Sequence, residues 1–277
     1  MPYGIKTADF NTEEHNIMKK FIRILTLALI ATLCIGAFAG CGKTPTVDTI
    51  RKEGKIVMLT NAAFPPFEYV DGSDIVGVDV DIAREIAADL GVELEIQNME
   101  FDGIVGAVQS GKGAIGVAGM SINEERLQSV DFSVEYVKSK LVVLVSSDNT
   151  EITTPDALTG KSIAVQTGTT SDVFASDIKD ATISRYKSFL DAASALNSGK
   201  VDAVIVDEMT AAEILSANAI LVQLADPLTE ERYAIAIQKG NKTLLDAVNT
   251  TLNRLISEGK IDEYIYNHTA AGTEAEG

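Results

Sequence analysis

The sequence predicts an α/β protein built as two lobes, and three observations lead there. From Lys55 onward, short β-branched runs alternate with stretches of helical periodicity, the pattern of strand–helix–strand units. The alternation stops over the polar stretch Ser146 to Thr159 and restarts at Lys161, so two such units follow one another. With 277 residues, 46% hydrophobic and 23% charged, the chain has the length and apolar content for two medium domains.

Strands are expected at Ile56–Thr60, Val92–Gln97, Ala114–Ala118, Leu141–Val145, Ser162–Gln166, Thr182–Tyr186, Ala203–Val206, Leu221–Leu224 and Tyr233–Gln238. Helices are expected between them, at Asp81–Leu90, Gly103–Ser110, Ser171–Ile178, Leu190–Ser198, Met209–Ala217 and Leu244–Glu258. Leu244, Val248, Leu252 and Leu255 fall on one helical face, and Gly91 and Gly199 stand where C-cap glycines belong. Such alternation implies parallel sheets, whose ligands bind beyond the carboxyl ends of the strands.

Composition removes several functions. The formal net charge is -17, so a nucleic-acid partner, which requires basic patches, is not expected. Residues 1–40 hold four Lys/Arg against three Asp/Glu, leaving 19 against 37 in the remainder, which is strongly acidic. The histidines are His15 and His268, and the cysteines Cys34 and Cys41. Neither a His/Cys metal site nor a Cys–His catalytic pair can be built in the main body from that inventory, and no metal or cofactor is expected.

The N-terminus reads as an address. A basic segment, Met18 to Arg23, precedes an uncharged run from Ile24 to Gly40 that exits through Phe38-Ala39-Gly40-Cys41. That is the layout of a secretory signal; the run is short of the roughly 20 apolar residues a membrane span requires. Cys41 after Ala39-Gly40 resembles the lipobox of bacterial lipoproteins, although Phe38 replaces the usual Leu. Residues 1–17 do not fit a signal, and Met18 is an alternative start. The organisation expected is thus an extension plus signal over 1–40, a tether over 41–47, the folded body, and a fraying tail over 269–277.

Four loops carry candidate chemistry. Asn61 to Tyr69 (NAAFPPFEY) sets aromatic residues and two prolines after the first strand, where Phe64 and Phe67 either staple the loop to the core or face a ligand. Gly119 to Arg126 (GMSINEER) can cap a helix with Asn123 and place the Arg126 guanidinium beside free amides, a receptor for a carboxylate. Gln166 to Asp172 (QTGTTSD) opens a helix with hydroxyls, either as an N-cap or as an anion site. Asp207, the first charge after an apolar strand, either caps the next helix or meets a cation at the sheet edge. Phe101 is a fifth candidate. Gly111 to Gly116 matches GxGxxG but precedes a strand, and Gly160-Lys161-Ser162 lacks the rest of a phosphate loop, so no nucleotide site is expected.

These residues resemble the polar-amino-acid family of periplasmic binding proteins, which includes the glutamine and histidine binders. The resemblance rests on FPPFEY (64–69), GVDVDIA (77–83), FDGIVGAVQSGK (101–112), GMSINEER (119–126), VDFS (130–133), GKSIAVQTGTT (160–170) and VDAVIVD (201–207). It implies a two-lobed periplasmic-binding-protein fold with a central cleft and two crossings, near Val134–Lys140 and Thr229–Tyr233. Lobe 1 would be 48–134 plus 234–268, and lobe 2 would be 141–228. It also implies capture of a free amino acid for delivery to an ABC permease. The protein would be monomeric and held to the outer face of the bacterial cell membrane by lipid on Cys41. Arg126 would hold the ligand α-carboxylate with amides at Ser121 and Thr170; Asp207, Ser121 and the Gly119 carbonyl would hold the α-ammonium. Phe64 and Phe101 would sandwich the side chain, and Asn61, Gln166 and Val206 would face its tip. Met120 and Thr169 complete the candidate set from the same loops. Asn61 and Val206 depart from an Asp common in the family and a His of the glutamine binder.

That side-chain pocket contains no ionisable group, which implies a neutral ligand unless Glu68 or Asp102 reaches it. The alternatives are an enzyme on the same scaffold, such as a cyclohexadienyl-dehydratase-like one, or a ligand-sensing module. An enzyme would need an acid or base beyond the groups that anchor the substrate, and neither histidine lies in the candidate loops. Fatty-acid labelling in the native host should mark the wild type and not Cys41→Ala; equal labelling of both would refute the lipid assignment.

Overall fold

The computed structural model describes Met1 and residues 44–269. His15, Cys34, Cys41, the signal and all of the tail beyond Thr269 lie outside the described residues. Among the described residues no helix is long and apolar enough to cross a membrane.

Thr46 caps the first helix, its hydroxyl accepting the Thr49 amide at 3.3 Å, and α1 spans Val47–Glu53 with Asp48 in its first turn. The segment expected as a polar tether is therefore helical from Val47. The chain continues through β1 (Lys55–Thr60), β2 (Ala63–Phe64), β3 (Glu68–Asp71), β4 (Asp74–Val76), α2 (Val78–Leu90), β5 (Glu93–Asn98), a 3-10 turn at Phe101–Gly103, α3 (Ile104–Gln109), β6 (Ile115–Gly116), α4 (Glu124–Ser129) and β7 (Val130–Phe132). It crosses on β8 (Val137–Ser146) and passes a 3-10 turn at Pro155–Leu158. Then come β9 (Ser162–Gln166), α5 (Thr170–Ser176), β10 (Thr182–Tyr186), α6 (Phe189–Asn197), β11 (Ala203–Asp207), α7 (Glu208–Ala217) and β12 (Leu221–Gln223). It returns on β13 (Thr229–Tyr233) to β14 (Ala236–Gln238), α8 (Lys242–Ser257) and α9 (Lys260–His268).

Two sheets organise the lobes, one ordered β5-β1-β6-β14-β7 and one ordered β10-β9-β11-β8-β12 with β13 alongside β8. Neither is wholly parallel, contrary to the sequence expectation. β14 runs against β6 and β7, and β8 runs against β11, β12 and β13. The cause is the double crossing: strands that leave one lobe and return to it side by side must be antiparallel. β8 and β13 pair from Val137↔Tyr233 to Leu141↔Thr229, so the crossings form one two-stranded ribbon. The single strand expected at Tyr233–Gln238 is divided, because Tyr233 ends the ribbon and Ala236 begins in the other sheet.

Period-two alternation sorts the side chains onto two faces of each sheet. In β1, Ile56 and Met58 join the large core with Ile82 and Ile86 of α2 and with Leu244, Val248, Leu252 and Leu255 of α8. Leu59 faces the other way, onto Ile104, Val108, Met120 and Val130. In β11, Val204 and Val206 share the large core, whereas Ala203 and Ile205 pack with Val143, Val145, Ile163 and Val165. Each of the Val, Leu, Ile and Met side chains contributes about 1.5–3 kcal/mol by leaving water.

Gly77 docks the aromatic loop onto α2. The first orphan amides of this helix are satisfied by loop carbonyls, Val78 N donating to Pro66 O at 3.1 Å and Asp79 N to Phe67 O at 3.0 Å. Gly77 holds φ 129°, and a Cβ there would lie 2.1 Å from the Phe67 carbonyl oxygen. Gly77→Ala should therefore cost at least about 2 kcal/mol in urea unfolding. Gly54→Ala, at φ 72° with nothing within 4 Å of the new Cβ, should cost about 1 kcal/mol. Equal losses would mean that the loop contact imposes no constraint.

Candidate functional site

The loops after the strands of both sheets converge on one cavity between the lobes. It is lined from the first lobe by Asn61, Phe64, Glu68, Phe101, Gly119, Ser121 and Arg126, from the second by Gln166, Thr169, Thr170, Phe189 and Asp207, and from the ribbon by Glu231 and Tyr233. The walls touch directly. Gln166 Nε2 donates to Asn61 Oδ1 at 2.8 Å, Arg126 Nη2 to the Gly168 carbonyl at 3.0 Å, and Thr210 Oγ1 to the Pro65 carbonyl at 2.7 Å. Gly168 permits this approach, since a Cβ there would meet Asp102 Cβ at 2.8 Å.

Arg126 is 8% exposed and stands in α4, which Asn123 caps by accepting the Arg126 amide at 2.8 Å. Its guanidinium donates to the Ser121 carbonyl at 2.6 Å and lies 5.2 Å above the Phe101 ring. Burial pulls its pKa down to about 10 against the opposing charges of Glu231 and Glu125, so it remains a cation at neutral pH. A planar donor fork held rigidly in a dry wall suits a carboxylate.

Asp207 caps the next helix, as one reading of the sequence has it, and it also lines the cavity. One oxygen caps α7 by accepting the Met209 amide at 2.9 Å, and the other accepts the Tyr233 hydroxyl. It is 2% exposed, and burial raises its pKa to about 6, with the Ser139, Tyr233 and Met209 donors opposing that shift. Glu231 receives the Thr170 hydroxyl at 3.1 Å and the Thr229 hydroxyl at 3.0 Å. Glu68 is fully buried, and neither of its oxygens has a hydrogen-bond partner among the described residues. Its pKa is driven well up, first by burial and then by the adjacent Asp79.

Ten of the twelve candidate residues thus line the cavity. Met120 and Val206 do not: Met120 packs against Leu59 and Ile104, and Val206 points into the large core because alternation turns it opposite to Asp207. Phe64 does face the cavity, stacked on buried Phe67 at 5.4 Å and tilted against Phe189 at 5.7 Å. A Cβ on Gly119 would lie 2.4 Å from the Phe64 ring, so only glycine fits there. The premise of a pocket without ionisable groups is overturned, because Glu68 and Glu231 line it. Phe189, Glu231 and Tyr233 were outside the candidate set; the sole sequence signal for them is their position at a helix start and on a crossing.

A cavity between two lobes, with a buried cation on one wall and buried carboxylates opposite, defines a cleft receptor for a small zwitterion. The chain belongs to the bacterial extracellular solute-binding proteins, family 3, whose model matches residues 56–269. It is 30% identical over 254 residues to a probable histidine-binding protein of Campylobacter jejuni, covering 90% of this chain and 98% of that one. It is 31% identical over 252 residues to a putative ABC transporter arginine-binding protein of Escherichia coli, covering 88% and 97%. Among solved structures, the arginine-bound form of truncated ArgBP from T. maritima is 40% identical with a TM-score of 0.72, covering 75% of this chain and 99% of that one.

Arg126 on the first lobe and Asp207 on the second predict a clamp. Arg126→Ala and Asp207→Asn should each weaken ligand binding by more than about 30-fold, as expected for a buried ligand charge left without its partner. Asparagine keeps an oxygen for the α7 cap, so folding should persist. Small-angle scattering should record contraction of the wild type on ligand addition and none in either variant at the same concentration. Normal binding by either variant would break the clamp assignment.

Proposed function

We propose that the ligand is a basic L-amino acid, arginine foremost, gripped between Arg126 and Asp207. The chain is the amino-acid-binding protein of an ABC transporter, capturing its ligand in the inter-lobe cleft for delivery to the membrane permease. The observation that carries the ligand class is Glu68, a buried carboxyl group with two unsatisfied oxygens at the cavity wall. Three acids, Glu68, Asp207 and Glu231, face one base, Arg126. A zwitterion leaves the Glu68 oxygens without a partner; a second cationic group on the ligand supplies one. In this reading Arg126 takes the α-carboxylate, Asp207 the α-ammonium, and Phe64 and Phe101 flank the aliphatic stem. The arginine-binding relatives agree with it.

The anchoring groups are all committed to ligand charges and the described cavity contains no histidine, which supports a receptor without catalytic turnover. Lipid on Cys41 would keep a monomeric receptor at the outer face of the membrane, beside its permease. Calorimetry on residues 42–277 should give arginine at least tenfold tighter binding than glutamine, histidine or cystine. Tighter binding of any neutral amino acid would overturn the basic-ligand reading.

A further inference from the structure

Glu68 and its neighbour Asp79 are both fully buried, yet their partners differ sharply. Asp79 has both oxygens engaged, one accepting the Gly119 amide at 2.7 Å and the other the Tyr136 hydroxyl at 2.8 Å. Two donors aimed at one carboxyl group favour its ionised form. Glu68 has no such donors among the described residues, and two adjacent carboxylates in a dry site do not both ionise. The proton of the pair therefore belongs on Glu68, at the cavity wall.

We propose that Glu68 holds this proton until a basic ligand enters, and that capture of the ligand's side-chain cation expels it, making Glu68 a proton-switched selector between basic and neutral amino acids. The inference rests on the basic-ligand reading above. In the exchange the Glu68 O–H bond breaks, its electron pair stays on the carboxylate, and the proton passes to solvent water. One positive charge enters and one leaves, so the dry cavity keeps its net charge. A neutral ligand of similar shape, such as glutamine, instead accepts a hydrogen bond from the protonated carboxyl, and no proton is released.

The other titratable groups around Glu68 do not imitate this behaviour. Burial raises Asp79 from α2 to about 6 against its Gly119 and Tyr136 donors, so it is an ionised acceptor above about pH 7, and the hydroxyls of Tyr136 and Tyr233 on the crossings are pushed well up, burial first, and remain neutral. Arg126, Asp207 and Glu231 face the cavity too. Arg126 and Asp207 meet the α-carboxylate and α-ammonium that every amino acid carries, so their titration cancels in a ratio of two ligands.

The test is the ratio of arginine to glutamine affinity, measured by calorimetry on wild type and Glu68→Gln from about pH 7 to 8.5, above the titration of Asp79 and Asp207. Binding that releases a proton strengthens as pH rises, by up to about tenfold per unit, until Glu68 is already ionised without ligand. The wild-type ratio should follow that slope, and buffers of different ionisation enthalpy should report about one more proton released with arginine than with glutamine. Glu68→Gln should lose the slope, leaving an arginine-to-glutamine ratio that no longer changes with pH and that lies more than about 30-fold below the wild-type ratio at the upper end of the range. The wild-type measurements decide the matter even if the variant folds poorly. A ratio independent of pH in the wild type, or a slope retained in Glu68→Gln, overturns the proton exchange. If glutamine binds tighter throughout but the ratio still climbs with pH and flattens in the variant, the exchange stands and only the choice of arginine falls. Absence of any arginine binding overturns both.

Discussion

Tyr233 is where both lobes and both crossings meet, and the cleft depends on that convergence. Its backbone pairs with Val137 at the end of the ribbon and bridges to Ser121 in the first lobe's binding loop. Its hydroxyl reaches Asp207 in the second lobe, and its ring lies edge-on to Phe67 at 5.1 Å and near Phe64 at 6.2 Å. A buried carboxylate is costly without donors, so Asp207 can stand ready in a dry wall only because the Tyr233 hydroxyl and the α7 amide solvate it. Tyr136, at the start of the other crossing, performs the same service for Asp79 in the first lobe. The hinge therefore supplies one hydroxyl to one buried acid on each side.

This arrangement also explains why the ribbon is paired and not a pair of loose linkers. Five residues of β13 are in register with β8, which fixes the height at which Glu231 and Tyr233 enter the cavity. Glu231 meets the Thr170 hydroxyl at the start of α5, one turn from where Arg126 binds the Gly168 carbonyl. Anchors from three segments far apart in sequence are thus held by backbone pairing, which does not depend on side-chain rotamers.

What the sequence disclosed follows from what is local. Strand–helix alternation, the Asn123 cap and the charge at the end of the β11 run are properties of short windows, and they placed Arg126, Gln166, Thr169, Thr170 and Asp207 at the cavity. Met120 entered with its loop and Val206 through the family resemblance; Met120 packs in the core with Leu59 and Ile104, and alternation along β11 sends Val206 into the large core. Glu68 illustrates the limit. It lies in FPPFEY, between two aromatic residues, but its burial comes from Gly77 drawing the loop onto α2, a contact between segments ten residues apart. The antiparallel crossings and Tyr233 were equally non-local, since each depends on which strand lies beside which.

Long-range and short-range electrostatics act here in sequence. With 37 acidic against 19 basic residues beyond position 40, the folded body attracts cations over roughly a Debye length of 8–10 Å. That field raises the encounter rate of a basic ligand but cannot hold it, because the surface charges are screened. Inside the cavity screening ends, and the same excess of acid would be prohibitive if every carboxyl were ionised. The molecule resolves this with donors, two for Asp207, two for Asp79 and two for Glu231, leaving Glu68, beside the Asp79 carboxyl, without a donor of its own. A ligand cation placed beside Glu68 satisfies what the protein leaves unsatisfied. In the proposed basic-ligand reading, selectivity comes from an incomplete hydrogen-bond inventory in the wall of the cleft, and not from added contacts at the ligand's zwitterionic end, which all amino acids share.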